Sequence, residues 1–318
     1  IQSGGSLILS GTTLRNDGGS ILTLGSDALN QTFTGAITGT DGKIGGNGDV
    51  AVSASSLSLD GANASLIAAK ALDMTTRGDM ALSAGATMAA GGAVKLNAGG
   101  ALNVGGAIVQ SNSSLTANAL TVSVGAGSAL SGTSVAVNAA QSLTNNGTIL
   151  GGDAGGTTSL VAGGSLANSG IIQANGADLS IRAASIGNSG DIVHAGAGVL
   201  SATVTGLLTN SGKIATNGTS TISAATIANT GDVTAANALS LTASNSLSNG
   251  GLLASGDALI VQAGVIAGQG GTFEAKGPLG LTAGDIALGN AQIYALGSAP
   301  LTLVSTGALT ASGARIGG

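Results

Sequence analysis

The residues that could do chemistry in this sequence are few, and one set recurs. Asn145, Asn168, Asn188, Asn210, Asn229 and Asn249 each sit inside the phrase apolar-x-Asn-x-Gly-x-apolar, as in Leu143-Thr-Asn-Asn-Gly-Thr-Ile149 and Leu208-Thr-Asn-Ser-Gly-Lys-Ile214. An amide donates and accepts, so asparagines stacked at a fixed interval bond to one another or to backbone, and a satisfied column holds a fold together. The competing functional reading is a polar binding groove. The place after each motif glycine holds Thr148, Ile171, Asp191, Lys213, Asp232 and Leu252. Acid-base catalysis needs carboxylates that converge without a neutralising partner, and here Lys213 intervenes between Asp191 and Asp232.

His194 is the sole histidine, at a place where other repeats have Gly151, Ala174, Thr216, Ala235 and Ser255. Without a second histidine or any cysteine it makes a poor metal ligand, and no nucleophile elbow accompanies it. It is expected to be a surface substitution. No catalytic, metal or cofactor residues are assigned. The one short motif with a binding meaning is Arg77-Gly78-Asp79, the triplet by which some adhesive proteins engage integrins, which makes these residues a candidate cell-binding site. Gly-Asp also occurs at Gly48-Asp49 and Gly190-Asp191, as corner chemistry, so only Arg77 lacks an explanation in the repeat.

The elements that must position these groups can be read from spacing. The motif glycines Gly147, Gly170, Gly190, Gly212, Gly231 and Gly251 are 23, 20, 22, 19 and 20 residues apart. A repeat of that length marks a solenoid whose turns bury their apolar faces only by stacking. Between the motifs lies apolar-x-apolar-x-Ala, at Leu179-Ser-Ile181-Arg-Ala183, Leu239-Ser-Leu241-Thr-Ala243 and Leu259-Ile-Val261-Gln-Ala263. Alternation with period two is a half-buried strand, which excludes the helical repeats. The expected fold is all-β, a parallel β-helix with turns of about 20 residues.

Two further series, Val52, Met74, Leu96 and Leu59, Leu82, Val104, predict two distinct strands in each early turn. From Gly25 to Gly48 the rhythm slips, and the segment 25–48 is expected to be an irregular turn or loop; 143–253 is the most regular stretch. No composition break divides the chain, so 1–318 is expected to be one β-helical domain, a fragment of a longer rod.

Composition narrows the function. Aromatics are 1% and tryptophan is absent, which suits a narrow aliphatic interior and removes the platforms of a sugar subsite or a base-stacking surface. Nine basic and fourteen acidic residues, with no basic stripe, argue against nucleic acid. No apolar run has the length of a membrane span. The alternative function is a β-helical polysaccharide lyase or hydrolase; it requires an acidic cluster, and Glu274 is the only glutamate.

The runs Leu166-Ala-Asn-Ser-Gly-Ile-Ile172 and Leu208-Thr-Asn-Ser-Gly-Lys-Ile214, alternating with apolar-x-apolar-x-Ala strands, resemble the repeats of filamentous haemagglutinin and related large exoproteins of Gram-negative bacteria. That group includes the stick-like chains of contact-dependent growth inhibition. The resemblance implies a right-handed β-helical shaft, exported by two-partner secretion through an outer-membrane barrel and displayed or shed at the cell surface. It implies a structural and adhesive role, with receptors on host cells or neighbouring bacteria.

Overall fold

The computed structural model describes residues 1–153 and 155–317. It is a parallel β-solenoid with about 21 residues per turn, and its described residues contain no helix. The chain divides into two compact units, Ile1–Gly163 and Gly164–Gly318. The boundary leaves no trace in composition because both units are written in the same repeat.

One turn of the second unit shows how the sequence makes the fold. Strand Asp178–Asn188 turns Leu179, Ile181 and Ala183 inward, bends at Ala184-Ser185, then turns Ile186 and Asn188 inward. A corner at Ser189-Gly190 leads to Asp191–His194, which buries Ile192 and His194. A second corner, rich in glycine, returns the chain to Val199–Val204 one level on, with Leu179 beside Leu200 and Ile192 beside Ile214. Each turn thus contributes to two sheets: the second from the bent strand, the first from the short one. Burying one Leu or Ile side chain contributes about 1.5–3 kcal/mol, so the in-register aliphatic columns are the main source of cohesion.

In the second unit the first sheet runs from Ile171–Ala174 to Arg315–Gly317, and the repeat holds to the end. Phe273 is fully buried there despite the narrow interior. Gly268 makes the room: a Cβ at that position would stand 2.9 Å from the Phe273 ring and 3.1 Å from Leu288.

In the first unit the first sheet runs from Gln2–Ser3 to Thr148–Gly151. The two interleaved series expected from sequence are columns of the second sheet: Val52, Met74 and Leu96 are partners, as are Leu59, Leu82 and Val104. The segment 25–48 departs from expectation. It holds three strands, Leu29–Phe33, Ala36–Thr40 and Lys43–Gly46, each paired in register with its neighbours. The rhythm is hidden in the sequence because Gln31 and Gly39 stand at inward places where other turns carry aliphatics.

The motif glycines are there for close approach. Gly147, Gly190, Gly212, Gly231 and Gly251 all lack a left-handed φ. A Cβ on Gly212 would lie 2.2 Å from the Gly190 carbonyl oxygen, and one on Gly231 would lie 2.1 Å from that of Gly212. Each corner sits directly on the carbonyl of the corner before it.

Candidate functional site

The asparagines form a buried ladder. In the second unit Asn168 Nδ2 donates to Asn188 Oδ1 at 2.7 Å, and the links Asn188 to Asn210, Asn210 to Asn229 and Asn229 to Asn249 are each 2.8 Å. Each Nδ2 also reaches two carbonyl oxygens; for Asn210 these are Gly212 at 3.2 Å, closing its own corner, and Asp232 at 3.1 Å, one turn on. Asn249, last in the column, donates to Thr272 O at 3.0 Å. Asn145 is buried in the first unit, at the end of strand Ser134–Asn145 and beside Val124. From Asn188 to Asn249 the amides face the interior with both ends engaged, so they offer nothing to a ligand. Their chemistry is cohesion.

Two related features lie outside the six repeats. Asn16 is buried in the first unit and its Nδ2 donates to Lys43 O at 3.1 Å, the same bond to the next turn that the ladder asparagines make. A second ladder lies on the outside: Asn138 Nδ2 donates to Asn118 Oδ1 at 2.9 Å and Asn118 Nδ2 to Asn97 Oδ1 at 2.8 Å. Its signal was legible as apolar-Asn-Ala in Leu96-Asn-Ala98, Ala117-Asn-Ala119 and Val137-Asn-Ala139.

Arg77, Gly78 and Asp79 form the corner between strands Leu72–Thr76 and Met80–Ser83. Arg77 and Asp79 are exposed. Both are also tied down. The Arg77 guanidinium donates through Nη2 to the Thr34 carbonyl, and Asp79 Oδ1 accepts the Ala101 N–H at 2.8 Å. Asp49 accepts the Ala71 N–H at 3.0 Å in the same manner, so at these two corners Gly-Asp caps a backbone N–H one turn ahead.

The expected charge column is in register, Asp191 beside Lys213 and Lys213 beside Asp232. Yet neither pair comes within 4.0 Å, and among the described residues the one ion pair is Arg15–Asp17. The Thr40 N–H, donated to Asp17, and then the Arg15 guanidinium hold the Asp17 carboxyl below the ordinary aspartate range.

His194 corrects the expectation of a surface residue: it is fully buried. Its Nε2 lies 3.2 Å from Gly176 O, a carbonyl that can only accept, so Nε2 carries the proton. In the neutral ring Nδ1, 2.9 Å from Thr216 Oγ1, accepts from that hydroxyl, which in turn accepts the Gly218 N–H at 3.0 Å. Among the described residues no three His, Cys, Asp or Glu side chains are grouped to hold a metal, and no helix is long and apolar enough to cross a membrane.

No curated protein and no solved structure is significantly similar to this chain. The family model of the haemagglutinin repeat matches residues 1–32, 153–212 and 195–313, more than half of the chain. With the in-register solenoid that the repeats build, this places the chain in the haemagglutinin-repeat family.

Proposed function

We propose that this chain is a shaft segment of a large bacterial exoprotein, secreted or held at the surface of a Gram-negative cell, which supports attachment to host cells or neighbouring bacteria. The observation that carries the reading is the fate of the polar repeat: its asparagines are consumed by the interior ladder, leaving the motif to build turns. Membership of the haemagglutinin-repeat family supports an exoprotein shaft in general. Export through a dedicated outer-membrane barrel is part of the proposal. A chain of local turns without cysteine can pass a pore extended and fold by stacking outside.

Arg77-Gly78-Asp79 is the proposed cell-binding site within the shaft. The test is binding of the labelled chain to epithelial cells and to bacteria, beside an Asp79→Glu variant. Saturable epithelial binding lost in the variant supports the triplet. Equal binding by the two proteins removes the triplet while keeping the adhesive reading, and no binding to either cell leaves a spacer alone. Melting of both proteins is measured in parallel, because Asp79 also caps Ala101.

A further inference from the structure

All the sulfur of the chain lies in one turn. The three methionines are Met74, Met80 and Met88, and cysteine and tryptophan are absent. They stand on three successive strands, Leu72–Thr76, Met80–Ser83 and Thr87–Ala90, and each turns inward, so they enter one layer of the interior from three sides. All three are fully buried, at 0% exposure. Their in-register neighbours on the turns before and after are aliphatic. Val52 and Leu96 flank Met74, Leu57 and Leu102 flank Met80, and Leu66 and Val109 flank Met88.

A thioether suits such a layer, being apolar and flexible enough to fill it. A sulfoxide does not, because its oxygen is polar and needs a donor. Within 72–90 the one buried polar side chain is Thr76, and its hydroxyl already donates to Gly78 O at 2.9 Å.

We propose that Met74, Met80 and Met88 are the oxidation site of this chain, open to a peroxide only before the first unit folds, and that their oxidation in that state keeps the turn 72–90 from closing. At each sulfur the O–O bond of the peroxide breaks; one oxygen bonds to sulfur, giving the sulfoxide, and the other leaves as water. Once the turn is closed, the oxidant reaches sulfur only through local opening. A turn of a solenoid is held by the turns on either side, so an unclosed layer also loosens 50–68 and 94–111. The second unit has no methionine and keeps its stack. This site is independent of the shaft and cell-binding roles.

The test uses the whole chain. It is unfolded in urea, treated with hydrogen peroxide until its mass rises by three oxygen atoms, one for each methionine, freed of peroxide with catalase and diluted to refold. Hydrogen exchange is then read segment by segment. Protection is expected to be lost over 50–111 and kept over 191–287, and the same peroxide exposure of the folded chain is expected to add no oxygen. Treating the diluted, oxidised chain with both methionine sulfoxide reductases is expected to restore protection. A chain carrying Met74→Leu, Met80→Leu and Met88→Leu, close to the original in volume, is expected to refold after peroxide as it does before. The proposal is overturned if the oxidised chain regains full protection over 72–90, if the folded chain takes up oxygen as fast as the unfolded one, or if the reductases restore nothing; these comparisons need no variant. It is equally overturned if peroxide removes protection from the leucine chain.

Discussion

At the scale of single residues, the ladder amides are the most consequential groups in the chain. Asn210 receives from Asn188, and its two Nδ2 hydrogens have three oxygens within reach, in an interior where an unpaired amide is costly. Asn210→Ala is expected to cost about 2–4 kcal/mol in urea unfolding, whereas Thr209→Ala, on the outer face beside it, is expected to change stability by about 0.5 kcal/mol or less. Asn210→Asp tests the hydrogen rather than the volume: a carboxylate cannot donate, so it should be at least as damaging as alanine at neutral pH. Asp17 gives a pH prediction. Its folded pKa is lowered, so what it contributes is present above the unfolded aspartate pKa and is lost as pH falls through the folded value. Arg15→Ala should raise that folded value in an NMR titration while leaving it below the ordinary range, because the Thr40 N–H, the larger cause, remains. The interior place of His194 was the residue-level feature least legible in sequence. Its column of small residues reads equally as an exposed corner or as a tight interior. The ring fits because Gly196 has no side chain; a Cβ there would stand 2.8 Å from Nε2.

At the scale of the element, a rule governs the place one turn beyond an asparagine. Asn16 is succeeded there by Gly39 and then by Leu59, and Asn249 by Gly268 and then by Leu288. In the other direction no glycine is needed, since Val124 is succeeded directly by Asn145. The asymmetry comes from the direction in which the amides lean. Each Nδ2 reaches toward the next turn, which must supply either an accepting amide or open space. At Gly39 a Cβ would lie 2.8 Å from the Asn16 carbonyl oxygen. Gly39→Ala, Gly231→Ala and Gly268→Leu are therefore expected each to cost about 2 kcal/mol or more, by thermal melting, whereas Gly4→Ala, with nothing within 4 Å of its Cβ, is expected to be silent. Strand type was legible because alternation survives wherever inward places are aliphatic. It failed over 25–48 because register tolerates one polar or missing inward side chain, which a reading by hydrophobicity counts as a break. Gln31 shows the tolerance: it is buried, and neither end of its amide has a partner among the described residues.

At the scale of the molecule, each unit carries its own stack of paired strands. Residues 164–318 expressed apart are expected to keep a β-sheet circular dichroism spectrum and a cooperative melt, since nearest-neighbour turns supply most of the cohesion of a solenoid; a featureless spectrum would refute this. Solenoid class and repeat length were legible at this scale because they are periodic, whereas the unit boundary falls within strand Thr157–Asn168, where the repeat is uninterrupted. The ladder gives the second unit a polarity. From Asn168 to Asn249 every amide donates toward the carboxyl-terminal side, and the last N–H is met by Thr272 O. Along the column each turn thus offers its hydrogens to the turn after it and its oxygens to the turn before it. A chain delivered amino end first always finds a donor waiting for the turn that arrives next, and delivery in reverse would meet only lone pairs. The direction of a side chain thus makes the two orders of stacking chemically unlike.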